Sequence, residues 1–476
     1  MSSEQQPLEF DVVVIGAGPV GENAADRAHK AGLTVAIVEK HLVGGECSYY
    51  ACSPSKALLR PIHATRASQR VQGSDGARLD PQGVLDRRDA WINELDDSGQ
   101  VSWLEHVGIT LLRGEGTLTG EKSLQVDGRE VRARHAVILA TGTMPAVPPI
   151  PGLREAEGWT NREATTTRRI PERLAVLGGG VVACELAQVF QALGSAVTVV
   201  EQAPGLLGRN EEFAGTAVRE ALERDGVDVR TGTRAEKVSR LGPTGEVTLH
   251  LEGGATVVAD ELLVAVGRTP ATRGLGLEAV GGELTDAGYV SVTERMEVKG
   301  VKDSDDGVPW LYAVGDVNGI ALLTHMGKYQ GRACGDLVGA RATGREPDAA
   351  KTTPWADDLG APQVIFTDPE VAAAGLTEAQ ARERGLTVRV VDVPMDSAAG
   401  SGLQAEGYQG QARIVVDEDA GVIVGATFVG QDVAELIHPA TVAIVAKVPL
   451  TTLWHAVPSY PTMSEIWLRL LEEYGL

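Results

Sequence analysis

The apolar residues near the start of the chain fall into two uninterrupted runs, DVVVIG at Asp11 to Gly16 and TVAIVE ending at Glu39. Such runs, bounded by turn signals, read as buried strands, and the stretch between them predicts a helix from about Val20 to Ala31. Strand, glycine turn, helix and strand together make a βαβ unit. From Ala57 to roughly His106 strand signals are few and Ala, Arg, Leu and Gln abound, which predicts two long helices separated by a turn near Gly73 to Gly83. Short strands follow through ITLLRGEGTLTG and SLQVDGREV. HAVILATGTMPAVPPIPG then supplies an apolar strand and a Pro-rich exit, a natural domain boundary at about Gly152.

The opening pattern then recurs. LAVLGGGVVACELA leads through a helix to AVTVVE, and both units place a glutamate 23 residues after the first glycine of the turn. The first fingerprint is Gly16, Gly18 and Gly21 with Glu39; the second is Gly178, Gly180 and Ala183 with Glu201. Glycines there allow a tight turn and close approach of a pyrophosphate to the helix N-terminus, and the acid is placed to accept from ribose hydroxyls. One such turn is a weak signal; two with the same spacing make accidental glycine turns improbable. The second unit runs to LLVAVGRTPAT at about Thr272, after which GYVSV and WLYAVGDVNG return to the first domain with a strand ending in Asp316. From Lys351 short strands and amphipathic helices predict an α+β domain. The expected fold is therefore α/β: two Rossmann-like dinucleotide-binding domains, 1–152 with 273–350 and 153–272, and a third, C-terminal α+β domain over 351–476.

A chain of 476 residues has room for about three such domains. Its net charge of −22, from 65 acidic and 43 basic residues, repels phosphate backbones and anionic lipid, which argues against nucleic acid as a partner. No apolar run reaches the roughly 18 residues of a membrane span, and MSSEQQPLEF lacks the regions of a signal peptide, so a cytoplasmic protein is expected. Four cysteines do not make a structural disulfide framework, and no second ligand pair suggests zinc.

Two of those cysteines lie in GGECSYYACSPSK, Gly44 to Lys56. Ser53 as N-cap and Pro54 as first helical residue would put Cys52 at the mouth of a helix, where its thiol ionises more easily, with Lys56 in the first turn. Cysteines five positions apart are too distant to bond in a regular helix, so a bridge requires Ser48 to Ala51 to form an irregular turn. On spacing alone, Cys47 and Cys52 are either a redox pair or two small core residues. Cys184 and Cys334 read as buried packing residues.

The ordered series GAGPVG, the cysteine stretch ending PSK, ATG at Ala140 to Gly142, GGGVVA, AVGR at Ala265 to Arg268, VGD at Val314 to Asp316, LTH at Leu323 to His325 and YPTMSE at Tyr460 to Glu465 resembles the pyridine nucleotide-disulfide oxidoreductases. That flavoprotein family includes dihydrolipoamide dehydrogenase, glutathione reductase and mercuric reductase. The resemblance implies FAD on the first unit, with Gly16, Gly18 and Gly21 at the pyrophosphate and Glu39 at the adenosine ribose. Asp316 would meet the ribitol, and the backbone around Gly116, Thr141, Gly142, Leu323, Thr324 and His325 the remainder. NAD(P)H would lie against Gly178, Gly180, Ala183, Glu185, Glu201, Val238 and Gly267. Glu201 favours NADH, because a carboxylate repels a 2′-phosphate; Arg209 would moderate the preference.

The mechanism so implied carries hydride from nicotinamide to flavin and on to a Cys47–Cys52 disulfide, with Cys52 in charge-transfer contact with the flavin and Cys47 performing interchange. Lys56 resembles the lysine that approaches the flavin, and Glu185 its ion-pair partner. Tyr460 stands where typical members carry a histidine held by the acid at Glu465. A phenol of pKa about 10 is only about 0.1% ionised at pH 7, which makes Tyr460 a poor base and argues against efficient dithiol oxidation. His455, five residues upstream, is an alternative acid/base. Tyr49 and Tyr50 would narrow the disulfide site or offer stacking surface to an aromatic ligand. The expected function is an NADH-dependent thiol/disulfide oxidoreductase acting as a homodimer on a small-molecule acceptor; a quinone or metal-ion reductase using the flavin directly is the alternative.

Overall fold

The computed structural model describes residues 6–74, 76–242 and 244–476. Residues 1–5, on which the leader reading partly rests, and Asp75 in the expected turn lie outside them. The chain forms two compact units: one runs to Ser53 and includes Ala90–Met144 and Arg268–Asp357, and the other comprises Pro54–Asp89, Pro145–Gly267 and Asp358–Leu476. No helix among the described residues is long and apolar enough to cross a membrane.

The first unit is built on a seven-stranded sheet. Thr110–Arg113, Val35–Glu39, Leu8–Ile15 and Arg129–Leu139 lie side by side and parallel, Ser123–Val126 and Gly116–Gly120 extend the sheet antiparallel, and Leu311–Ala313 joins on Arg129–Leu139. Val12, Val14 and Ile37 pack with the helices on one face, while Val13, Ala36 and Val137 pack with Trp310 on the other. A strand covered on both faces has no polar side to show, which is why these runs are uninterrupted in the sequence. The strand expected to end at Asp316 stops at Ala313. Gly315, at φ +75°, turns the chain into a 3-10 turn over Gly315–Asn318, where Gln330 Oε1 accepts the Gly315 N–H at 2.8 Å.

The helix Pro19–Lys30 packs on Thr324–Ala342 unusually closely. Gly327, Gly331, Gly335 and Gly339 form one stripe of the second helix, and a Cβ on any of them would stand 2.6 Å from an atom of Val20, Ala24 or Ala31. This seam anchors the start of the second helix, and with it Thr324.

Between the cysteine stretch and His106 the described residues form three α-helices rather than the expected two: Cys52–Gln69, Pro81–Trp91 and Ser98–Val107. Asn93, Glu94 and Leu95 take positive φ and end the regular pattern. Asp80 accepts the N–H of Gln82 at 3.1 Å and starts the middle helix at Pro81, so Gly83 is helical rather than part of the turn.

The second unit repeats the parallel arrangement with Asp228–Arg230, Ala196–Val200, Arg173–Leu177 and Glu261–Val264. It adds a three-stranded antiparallel sheet and, from Gln363 on, a five-stranded antiparallel sheet. Helices Ile437–Val445 and Ile466–Tyr474 share a core with this last sheet around Phe428 and Leu470, the α+β texture expected there.

Candidate active site

The two glycine turns are nearly superimposable in their local contacts. Gly16 has φ +105° and a Cβ there would lie 2.4 Å from Ala140 O; Gly178 has φ +115° and the same atom would lie 2.4 Å from Ala265 O. Each first glycine donates its N–H to the neighbouring strand, Gly16 to Val38 O and Gly178 to Val200 O, both at 2.8 Å. The third positions differ for a reason: a Cβ on Gly21 would stand 1.9 Å from Gly16 O, whereas the second unit accepts the Cβ of Ala183 in its core.

Neither following helix has a side-chain cap, with Gly18 and Gly180 at the N-cap positions, so their first N–H groups remain for an anion. Nothing would crowd a Cβ at Gly180, Gly142 or Gly267, which leaves bare backbone for close approach. Glu39 accepts the N–H of Ala17 through Oε2 at 2.9 Å and of His41 through Oε1 at 2.7 Å, and Glu201 accepts that of Ala203 at 2.6 Å. Glu39 thus lies against its glycine turn, and the Glu201 side chain lies beside Gly179, where a Cβ would stand 2.8 Å from it. The residues fit dinucleotides on both units.

Elsewhere in the first unit, Asp316 accepts the Thr143 hydroxyl at 2.9 Å; burial pushes its carboxyl up, opposed by that bond and by the Arg268 guanidinium. A buried acid of this kind suits a polyol hydroxyl. The Thr141 hydroxyl donates to Ala271 O at 2.9 Å, and Gly116 is packed under Ile15 and Val38. Leu323 precedes the first turn of Thr324–Ala342, and His325 is exposed on it.

Cys47 lies on a short helix, Gly45–Tyr49, so the irregular link is confined to Tyr50 and Ala51 rather than spanning Ser48 to Ala51. The next helix begins at Cys52 itself, one residue ahead of the expected Ser53 cap. Proline tolerates any place in a first turn, because the N–H it lacks has no partner there, so Pro54 does not mark the start. The Cys47 and Cys52 side chains are hydrogen-bonded to each other, and the Thr324 hydroxyl bonds Cys47 and lies 3.5 Å from Cys52 Sγ. The bond to Cys52 and burial push the Cys47 thiol up, so the pair retains a proton at Cys47. Tyr49 offers no stacking surface: it is buried, and its hydroxyl donates to Gln100 Oε1 at 3.0 Å.

In the second unit Lys56 Nζ donates to Glu185 Oε2 at 2.6 Å, so Glu185 is a buried ion-pair partner rather than a solvated acid. Val238 is buried, with its N–H bonded to Pro151 O at 2.9 Å and its carbonyl oxygen packed against Gly152, where a Cβ would stand 2.0 Å from it, so its side chain is not presented to a ligand. Tyr460 is 77% exposed and His455 also faces solvent. Glu465 is buried, accepting from Arg469 at 2.6 Å and from the Ala399 N–H at 3.1 Å. Sequence reasoning missed Arg469, Thr143 and the Phe366 N–H that bonds Glu185; the i,i+4 spacing of Glu465 and Arg469 was the one available signal.

The paired glycine turns, the cysteine pair and the buried acid define a two-nucleotide flavoprotein with a thiol centre. Residues 10–331 match the family described as Pyridine nucleotide-disulphide oxidoreductase and residues 361–470 match its dimerisation domain, and the chain belongs to that family. It is 35% identical over 467 residues to a dihydrolipoyl dehydrogenase of Thermus scotoductus, covering 96% of this chain and 95% of that one. A mercuric reductase of Staphylococcus aureus is 31% identical over 463 residues, 96% of this chain and 81% of its own. Among solved structures, the Cu(II) complex of the HOCl-induced flavoprotein disulfide reductase RclA from Escherichia coli matches with a TM-score of 0.80 and 26% identity, covering 98% of this chain and 99% of RclA. Enzymes of this family use FAD and NAD(P)H.

Proposed function

We propose that this chain takes electron pairs from NADH and delivers them, through FAD and a Cys47–Cys52 disulfide, to a small thiol/disulfide acceptor. The observation that carries this reading is the mutual hydrogen bond of Cys47 and Cys52, on the Thr324 hydroxyl, in the unit that also holds the Gly16 turn and Asp316. In the same reading 1–152 and 273–350 bind FAD, 153–272 binds NAD(P)H, and 351–476 joins two copies so that Tyr460 and Glu465 complete the partner site. The dimerisation domain supports a homodimer, the carboxylate of Glu201 supports NADH over NADPH, and the thiol pair suits the reducing cytoplasm.

FAD, when bound, supplies the conversion of a nicotinamide hydride into an electron pair that a disulfide can accept. The chain's part is to hold and protonate. The Gly16, Gly18 and Gly21 turn receives the diphosphate, Glu39 a ribose and Asp316 a ribitol hydroxyl. Two electrons and one proton convert the disulfide to one thiol and one thiolate. The proton rests on Cys47, whose thiol is pushed up, and the thiolate on Cys52 at the start of its helix.

Interchange with substrate then requires Cys47 to lose that proton. Tyr460 is a poor base and Glu465 is held by Arg469, which favours a second reading in which the acceptor is a quinone or metal ion and needs no Cys47 thiolate. The RclA relative, solved with Cu(II), supports keeping it. A panel of disulfide, quinone and Cu(II) acceptors, run with NADH and NADPH on the wild type and on a Cys47→Ser, Cys52→Ser double variant, separates the two. Disulfide turnover that disappears in the double variant is expected; quinone or Cu(II) turnover that survives it, without disulfide turnover in the wild type, selects the second reading.

A further inference from the structure

Arg268 holds Thr143 at two points. Its Nε donates to Thr143 Oγ1 at 2.6 Å and its Nη2 to Thr143 O at 2.8 Å. A threonine hydroxyl has a single hydrogen, and with the guanidinium aimed at its lone pair that hydrogen goes to Asp316 Oδ2, 2.9 Å away. The donation occupies Oδ2 and leaves Oδ1 for a second donor. Asp316 is largely buried, and without the hydroxyl and the nearby positive charge burial would favour its neutral form, which presents a hydrogen rather than accepting one. Nη2 of the same guanidinium also lies 3.8 Å from Oε1 of Glu46, the residue immediately before Cys47. All four residues belong to the first unit.

We propose that Arg268 is a positioning residue for the flavin: acting through Thr143, it aims the Asp316 carboxylate as the acceptor for a polyol hydroxyl of the flavin side chain, and through Glu46 it ties that acceptor to the turn carrying Cys47. This rests on the reading that FAD binds here. Arg268 and Thr143 act in series, so removing either removes the same aim. Losses that add would mean that the two residues act separately, and rescue by a hydroxyl at position 143 separates the aim of that group from packing.

The test is the FAD dissociation constant of full-length apoprotein, followed by flavin fluorescence. Arg268→Gln and Thr143→Val are each expected to weaken binding about 10- to 100-fold, the range for a lost charge-assisted hydrogen bond. Thr143→Ser, which keeps the hydroxyl, stays within about 3-fold of wild type, and the Arg268→Gln, Thr143→Val double variant binds no worse than the weaker single. Glu46→Gln gives a smaller loss. Wild-type affinity in Arg268→Gln, losses that add in the double variant, or a Thr143→Ser as weak as Thr143→Val overturns the proposal while leaving FAD binding intact. A wild type that takes up no FAD overturns this proposal and the reading beneath it together.

Discussion

Lys56 and Glu185, 129 residues apart, meet at 2.6 Å, and the other oxygen of that carboxylate accepts the N–H of Phe366 at 2.9 Å. The Glu185 side chain is 3% exposed and the Phe366 ring centroid lies 4.9 Å from Lys56 Nζ. The carboxylate is therefore held on both oxygens in a place water scarcely reaches.

Removing the ammonium strands a buried charge, which typically costs about 3–5 kcal/mol and less here because Lys56 is partly solvated. Lys56→Met is expected to lower the urea midpoint clearly. The Lys56→Met, Glu185→Gln double variant should recover part of the loss, because its remaining amide carries no charge. Equal midpoints for the single and double variants would contradict the pairing.

The Thr324 hydroxyl touches both sulfurs. Its removal in Thr324→Val takes a hydrogen-bond partner from the Cys52 thiolate, so in the two-electron-reduced enzyme the long-wavelength charge-transfer absorbance should develop only at a higher pH than in the wild type. Thr324→Ser should titrate like the wild type. Cys52→Ser should lose the band at every pH, and Cys47→Ser should keep it.

Glu370 is buried in the C-terminal sheet, and burial, with Asp432, Asp368 and Glu435 nearby, pushes its carboxyl from 4.5 up to about 7 against a bond from the Ala434 N–H. A raised folded value means the native state holds its proton longer than the unfolded chain. Its stabilising contribution is full below pH 4.5 and lost as pH rises through about 7, a change of about 3 kcal/mol. Glu370→Gln, whose amide oxygen still accepts from Ala434, should remove that loss. Urea midpoints at pH 5 and pH 8 should fall closer together in the variant than in the wild type.

Glu201 stands at the end of its strand with Oε1 on the Ala203 N–H. If the adenosine ribose lies there, kcat/KM for NADH exceeds that for NADPH, and Glu201→Ala should narrow the ratio by about 10-fold through removal of a repelled charge and a lost acceptor. The effect should appear in KM rather than kcat. An unchanged ratio would place coenzyme choice elsewhere.

Much of the fold was legible from the residues. The buried parallel strands announce themselves as apolar runs because both of their faces are covered, and the helix between them stands between glycine turns. Legibility failed where a local contact outvoted propensity: Gly315 stopped a strand short of Asp316, and residues 93–95 broke what composition made look like one helix. The cysteine pair was visible as a spacing, but the register of its helix was not, since Pro54 fits several first-turn positions.

By itself the order of residues determined the duplicated βαβ units with their glycine turns. Gly16 and Gly178 need a positive φ and tolerate no Cβ beside a neighbouring carbonyl, and strand geometry then sets Glu39 and Glu201 at equal spacing from them. Only the tertiary structure decided what surrounds the thiols and the buried acids. Thr324 reaches Cys52 across 272 residues, Thr143 reaches Asp316 across 173, and Phe366 reaches Glu185 across 181. Contacts of that range obey no helical or strand period; they exist because sheets and helices, once packed, bring remote backbone and side-chain donors to charges that burial has stripped of water.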